Sequence, residues 1–220
     1  MPIYQNIYLQ EDSNAKSISM NLGEPCYCFG DMDLTLTWVT DPSFSEQHIN
    51  AEDFKQAITI GSHCYIENLN RLAFHNGPVK LTSVKVNNRV PGKIQIGNGV
   101  ALQGTAIVAY EKVVIEDNVT FGPGVTIMDS NGHPIRGRGT EDEASHINSS
   151  PVIIKQGAWI GLNAIILKGV TIGENAVIGA GSVVSQSIPD NAIAMGNPAK
   201  VVKIITPEQA EAYSQQYAGL

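Results

Sequence analysis

The stretch 154-IKQGAWIGLNAIILKGVTIGENAVIGAGSVV-184 repeats itself with a period of six residues. An aliphatic residue returns at every sixth position without a slip, and these positions are Ile154, Ile160, Ile166, Ile172, Ile178 and Val184. This period fits neither the 3.6 residues of an α-helical turn nor a long strand. It fits a short strand and a corner that repeat around the sides of a prism.

The same period occurs upstream, with one shift of phase. Large apolar residues stand six apart in two sets, which are Ile96, Leu102, Val108 and then Ile115, Phe121, Ile127. Three sides make one coil, and successive coils would stack at the parallel-strand spacing of about 4.8 Å. Corners rich in Gly and Asn supply the positive φ that tight turns require. We therefore predict an all-β fold, a parallel β-helix with a stacked aliphatic core.

The segments outside the clear repeats are less regular. Residues 1–57 contain short alternating runs such as SISMNL and LTLTWV, which predict an N-terminal β cap over the first coil. The β-helix itself is predicted over residues 58–204, with an insertion at residues 72–93. Residues 205–220 are predicted to form a short helical tail, because Thr206 and Gln209 match a capping box.

Composition limits the classes of partner. The formal net charge is −7 and only 14 residues are Lys or Arg, so a general nucleic-acid or anionic-membrane surface is not expected. No apolar stretch is long enough to span a membrane, and the first residues do not form a signal peptide, which predicts a cytoplasmic protein. Cys26, Cys28 and Cys64 are predicted to be reduced thiols.

The repeat breaks off in MDSNGHPIRG, residues 128–137, and resumes at Ile154. A flat-sided prism offers no concavity, so an enzyme built on it has to form its pocket from an extruded loop and from packed subunits. We predict that residues 129–151 form this active-site loop and that His133 lies in it.

Residues 94–204 resemble the hexapeptide-repeat acyltransferases, in particular the acetyl-CoA-dependent O-acetyltransferases of sugars and surface polysaccharides. The resemblance rests on the motifs DNVTFGPGVTI, GHP, GAWIGLNAIILKGVTIGENAVIGAGSVV and IPDNAIAMGNPAKVVK. It implies a left-handed β-helix, acetyl-CoA as co-substrate without a metal, and a homotrimer with each active site in a groove between two subunits.

The resemblance also implies roles for single residues. His133 of the GHP motif corresponds to the general base, a role that suits imidazole because it titrates near neutral pH. The expected acceptor-binding residues are Asp129, Asn131, Arg136 and Trp159, and the acidic run Glu141, Asp142, Glu143 is a further candidate. Asp129 is also a candidate to orient the imidazole, and packing against the loop or a neighbouring subunit is the alternative for Trp159.

The expected coenzyme A residues lie further along the chain. They are Leu162, Ala180, Ser185, Lys200 and Lys203. Backbone groups near Leu162 and Ala180 would bond the pantetheine arm, and the amide at Leu162 would face the thioester oxygen. Lys200 and Lys203 would meet phosphates as point charges.

The sequence departs from the galactoside and maltose enzymes at Leu102 and Tyr110, which align with their sugar-contacting Asn and Asp. A polysaccharide precursor or nucleotide-linked sugar is therefore the preferred acceptor, and N-acetylation of an amino sugar stays open. A γ-type carbonic anhydrase is disfavoured, because His63, His75, His133 and His146 lack zinc-ligand spacing. A non-catalytic β-helix, for binding or assembly, is the remaining alternative.

Overall fold

Short strands stacked in three sheets form the sides of a prism. The computed structural model of the protein describes residues 1–44, 46–69, 77–206 and 208–210. In these ranges the strands are, in chain order, β1 (Ile3–Tyr8), β2 (Met20–Leu22), β3 (Tyr27–Phe29), β4 (Asp33–Thr40), β5 (Ile58–Ile60), β6 (Tyr65–Glu67), β7 (Lys80–Val86), β8 (Lys93–Ile96), β9 (Ala101–Gln103), β10 (Ala106–Ala109), β11 (Lys112–Ile115), β12 (Thr120–Phe121), β13 (Thr126–Met128), β14 (Val152–Ile154), β15 (Trp159–Ile160), β16 (Ile165–Ile166), β17 (Thr171–Ile172), β18 (Val177–Ile178), β19 (Val183–Val184), β20 (Ala192–Gly196) and β21 (Ala199–Ile204).

Every third strand along the coils belongs to the same sheet. Sheet A has the order β1-β4-β7-β10-β13-β16-β19, sheet B the order β2-β5-β8-β11-β14-β17, and sheet C the order β3-β6-β9-β12-β15-β18-β20-β21. The pairs are parallel except for β1 with β4 and β20 with β21 at the two ends. The predicted parallel β-helix is confirmed.

The six-residue period stacks identical side chains on one another. In sheet B, Ile96 pairs with Ile115, Ile115 with Ile154, and Ile154 with Ile172. All four side chains are buried in a continuous aliphatic core. Each coil therefore covers the apolar face of the one before it, and burial of this stack is the main stabilising term of the fold.

Close stacking also fixes the residues at the corners. Asn118, Asn163 and Asn175 adopt left-handed backbone conformations with φ between 54° and 58°. At Gly161, an added Cβ would lie 2.6 Å from the backbone nitrogen of Ala180 in the next coil. Only glycine lets the two corners approach this closely.

The stack begins earlier than the sequence predicted. Strands β2, β3 and β4 pair in parallel with β5, β6 and β7, so residues 20–40 form a coil within the region predicted as a cap. The actual cover of this end is helix α1 (Ser13–Ser19), whose N-cap Asp12 accepts from the amide of Ala15 at 2.9 Å. Two 3-10 turns, Pro42–Phe44 and Ala51–Phe54, lead to the next coil.

Two further boundaries differ from the predictions. The segment predicted as an insertion, residues 72–93, contains strand β7 of sheet A, because residues 80–86 pair with β4 and β10. Residues 72–76 lie outside the described residues. At the other end, β20 and β21 close the stack as a hairpin. The capping box is confirmed, since Thr206 and Gln209 exchange hydrogen bonds of 3.2 and 3.3 Å, but most of the predicted tail helix lies outside the described residues.

Sheet A extends beyond the corner of the prism. Its strands β4 and β7 are eight and seven residues long, and we call their extension past the corner the platform. Their outer ends form a second apolar cluster with the loop that follows β13, consisting of Val39, Val84, Val86, Ala144 and Ile147. Across the described residues, no helix is long and apolar enough to cross a membrane.

Candidate active site

The predicted loop, residues 129–151, joins β13 of sheet A to β14 of sheet B. Its first residue, Asp129, is fully buried, and its carboxylate accepts from the amides of Tyr110, Glu111 and Lys112 at 2.7, 2.8 and 2.7 Å. Burial raises the pKa of Asp129, although these three bonds act in the opposite direction. Asp129 therefore fixes the start of the loop to the preceding corner and does not contact the imidazole.

Glu143 is the residue that orients His133. The Nδ1 atom of His133 lies 2.8 Å from Oε1 of Glu143, and the amide of Gly139 donates to Oε2. The bonds from Gly139 and His133 lower the pKa of Glu143, so this carboxylate is ionised and can only accept. The proton between the two groups therefore belongs to Nδ1, which leaves the lone pair of Nε2 available as a base.

The two partners differ in their exposure to solvent. The side chain of Glu143 is 4% exposed and that of His133 is 54% exposed. A buried carboxylate thus holds an imidazole that faces outward. This arrangement fixes the ring orientation and tautomer of a histidine that reacts with a ligand from solvent.

His133 and Glu143 line a pocket of about 450 Å³. The other residues around it are Met1, Pro2, Tyr4, Arg138 and Gly139. Tyr4 reaches it from the edge strand β1, and burial together with the charge of Glu143 raises the pKa of its hydroxyl. Neither Tyr4 nor Arg138 was predicted from the sequence. The pairing of β1 with β4, which brings Tyr4 to the pocket, is not encoded in the repeat, and Arg138 is one of several polar residues of the loop.

The other predicted acceptor residues are not part of this pocket. Asn131 and Arg136 are exposed on the loop. Trp159 is 56% exposed on β15 of sheet C, while the loop lies at the corner between sheets A and B. Within one chain, Trp159 is therefore placed on another side of the prism from His133.

Among the predicted coenzyme A residues, Ser185 lies at the same corner of the prism as His133, and the others lie elsewhere. Leu162 and Ala180 occupy successive corners between sheets C and A, and Gly161 packs against the backbone of Ala180. Ser185 follows β19 at the corner between sheets A and B, and Lys200 and Lys203 lie on β21. Leu162 and Ala180 thus lie at one edge of sheet A and His133 at the other.

The described part of the chain contains no group of three His, Cys, Asp or Glu residues arranged to hold a metal ion. His75 lies outside the described residues. The imidazole of His63 contacts the hydroxyl of Ser62 at 3.1 Å, and that of His146 contacts the carbonyl of Asp142 at 2.9 Å. His133, by contrast, combines a buried carboxylate partner with a pocket.

Comparison with known proteins agrees with the β-helix fold. Residues 151–186 match the family model described as bacterial transferase hexapeptide (six repeats). This part of the chain is built of hexapeptide repeats. The coils have the left-handed sense that the resemblance implied. AntD, an N-acyltransferase from Bacillus cereus solved in complex with dTDP and coenzyme A, has the same fold, with a TM-score of 0.60 at 19% identity over 96% of this chain and 97% of its own.

Two relatives extend the similarity beyond the residues that the family model matches. The galactoside O-acetyltransferase of Escherichia coli is 38% identical over 105 residues, which cover 48% of this chain and 50% of that protein. The galactoside O-acetyltransferase of Lactococcus lactis is 36% identical over 125 residues, covering 54% and 57%. The match thus spans little more than half the length of these relatives.

Proposed function

We propose that this protein is an acetyl-CoA-dependent O-acetyltransferase that moves an acetyl group to a hydroxyl of a sugar or a surface-polysaccharide precursor. The observation that carries this proposal is the His133–Glu143 pair in a pocket at the break of the hexapeptide repeat. The names of the two galactoside O-acetyltransferases support the reaction type.

In the proposed reaction, His133 acts as the general base. Glu143 holds the proton on Nδ1, so Nε2 is free to act as the base. It takes the proton of the acceptor hydroxyl while the hydroxyl oxygen attacks the thioester carbonyl. The C–S bond then breaks, and the imidazolium returns the proton to the departing thiolate. Glu143 stabilises the transient positive charge on His133 from a buried position, where a charge interaction is stronger than in water.

The remaining site assignments are part of the proposal. Acetyl-CoA would run along the edge formed by Leu162 and Ala180, with the backbone at Leu162 near the thioester oxygen. Its remote end would contact Ser185, Lys200 and Lys203. The edge with Leu162 and Ala180 can face His133 if subunits pack side by side, so we propose a homotrimer. Cytoplasmic location stays a prediction from the sequence.

The nature of the acceptor atom is the main alternative. AntD is named an N-acyltransferase, and its fold likeness covers the N-terminal coils as well as the repeats. N-acetylation of a nucleotide-linked amino sugar is therefore the second candidate. Both reactions need the same base and the same donor.

Acetyl transfer can be tested by following thiol release from acetyl-CoA with a panel of galactosides, maltose, capsular oligosaccharides and nucleotide-linked amino sugars. We expect one class to raise thiol release well above the rate with buffer alone, and mass spectrometry of the product would assign the ester or amide. Thiol release at the buffer rate with every acceptor, together with no binding of coenzyme A by calorimetry, would contradict the proposal.

A further inference from the structure

The turn that follows Glu143 is held by Asp41, which lies 103 residues before Ala144 in the sequence. A short 3-10 turn, Ala144–His146, directly follows Glu143. Its first two amides have no acceptor within the turn, as at the start of any helix. Both donate to the carboxylate of Asp41, Ala144 at 2.7 Å and Ser145 at 3.1 Å. Asp41 lies just after β4 and is only 5% exposed.

Asp41 is itself fixed by Asn87. The amide nitrogen of Asp41 donates to Oδ1 of Asn87 at 2.9 Å, and Nδ2 of Asn87 donates to Oδ2 of Asp41 at 2.8 Å. Asn87 follows β7 with φ 48°, and its carbonyl accepts from the indole of Trp38. The carboxylate of Asp41 is therefore buried, fully bonded and tied to the ends of the two long strands of sheet A.

From these contacts we infer that Asp41 is a positioning residue for His133, acting through Glu143; this inference rests on the proposed function. The amide of Ala144 belongs to the same peptide unit as the carbonyl of Glu143. Asp41 thus fixes the backbone directly after the residue whose side chain holds Nδ1 of His133. A misplacement of about 1 Å at a reacting group can cost about 10²-fold in rate.

Other contacts of the turn hold different groups. Arg89 donates to the carbonyls of Ser145 and Ile147, so it fixes the exit of the turn. Ala144 and Ile147 pack on the platform of β4 and β7. Asp41 is the group that binds the amides at the entry of the turn, next to Glu143.

The first test reads the imidazole of His133 directly and needs no substrate. In protein with ¹⁵N-labelled histidine, the ring signals of His133 are assigned by comparison with His133→Gln. We expect the wild type to show the tautomer with the proton on Nδ1. Asp41→Asn, which keeps the shape but turns an NH₂ group toward one of the two amides, should reduce the population of this tautomer at least about twofold.

Asp53→Asn is the matched control. The carboxylate of Asp53 accepts from Nζ of Lys85 on β7 at 2.7 Å, so it also ties the N-terminal region to sheet A, but it does not touch the loop. We expect this variant to leave the tautomer of His133 unchanged. If Asp41→Asn does not fold, Asn87→Gly keeps the left-handed turn, releases the carboxylate of Asp41, and should change the tautomer in the same direction.

The second test is a double-mutant cycle in the acetyl-transfer assay. Asp41→Asn should lower kcat about 10- to 100-fold and leave the KM for acetyl-CoA unchanged. Because Asp41 acts through Glu143, the same substitution in a Glu143→Gln background should have no further effect beyond about twofold. The inference is overturned if Asp41→Asn keeps its full effect in the Glu143→Gln background. It is also overturned if the His133 tautomer is unchanged in folded Asp41→Asn or Asn87→Gly.

Lack of acetyl transfer in the wild type would contradict the proposed function alone. The tautomer measurement would then still test whether Asp41 positions His133.

Discussion

At the scale of single residues, the base and its partner could be predicted to different degrees. His133 stands in the GHP motif at the break of the repeat, and this position together with the resemblance to the hexapeptide-repeat acyltransferases singles it out. Glu143 is one of three neighbouring acidic residues, and only the folded loop shows that its side chain turns inward to His133. Asp129 was predicted to face the acceptor or the imidazole, yet its carboxylate binds three amides of the preceding corner. Contacts that link distant parts of the chain leave no local pattern.

Replacement of His133 by Ala tests its role as the base. Because its side chain is half exposed and outside the stacked core, we expect thermal unfolding and coenzyme A binding to stay nearly unchanged. Turnover should fall by about 10²- to 10⁴-fold, the usual effect of removing a general base. His146→Ala, at an exposed histidine of the same loop, is the control and should keep its activity. A His133→Ala enzyme with more than about half of the wild-type rate would exclude this role.

The pH dependence of catalysis is a second test of His133 as the general base. Only a neutral imidazole can accept the proton of the acceptor, so kcat/KM is expected to rise with pH through one ionisation and then to level off. A profile that falls over the same range would be incompatible with a histidine base. The measurement is the initial rate of thiol release at low acceptor concentration.

Glu143 should also affect stability in acid. Its folded pKa is lowered, first by the amide of Gly139 and then by His133, so folding favours the ionised form. This contribution is present above the ordinary pKa of 4.5 and is lost as the pH falls through the folded value. Wild-type protein should therefore be more stable than Glu143→Gln at pH 7, and the gap should narrow toward pH 3 in urea unfolding. A gap that stays constant over this range would contradict the prediction.

At the scale of the elements, the β-helix was predicted over residues 58–204, and its repeat is clearest from residue 94 onward because each side there has the same length. The first coil escaped prediction because its sides are unequal. Strands β2 and β3 have three residues each, β4 has eight, and the return to β5 passes through two 3-10 turns. Alternation in LTLTWV predicts a strand, but it does not indicate the sheet to which that strand belongs.

The phase of the repeat can be tested by a matched pair of substitutions. Ile172 is fully buried and stacks on Ile154, so Ile172→Ala should cost about 2 to 5 kcal/mol in the free energy of unfolding. Lys168→Ala removes a partly exposed corner side chain and should cost no more than about 0.5 kcal/mol. Urea unfolding measures both. Equal losses would mean that Ile172 does not point into the stack.

At the scale of the whole molecule, a single prism separates the two halves of the proposed site. His133 lies at the corner between sheets A and B, whereas Leu162 and Ala180 lie at the corner between sheets C and A. Large apolar side chains are also left exposed on its sides, including Trp159, Ile165 and Leu167. Exposed apolar surface of this kind is typical of a contact between subunits.

The proposed homotrimer has a definite mass. One chain is 23.6 kDa, so three chains give 3 × 23.6 = 70.8 kDa. Light scattering at micromolar protein concentration should give this value, and Trp159→Glu should lower it if sheet C lies in the contact, because burial of an unpaired charge is costly. A wild-type mass of one chain would exclude a site shared between subunits.

The long strands β4 and β7 limit how the loop can be exchanged in evolution. A corner of a β-helix accepts an inserted loop without disturbing the register of the coils, and a loop without further contacts could be exchanged freely between relatives. Here the loop depends on Asp41, Asn87 and Arg89, which lie at the ends of those strands, some 40 to 100 residues before it. A chimaera that receives residues 129–151 alone would therefore carry the base without its support. Loop and platform have to be inherited as one unit.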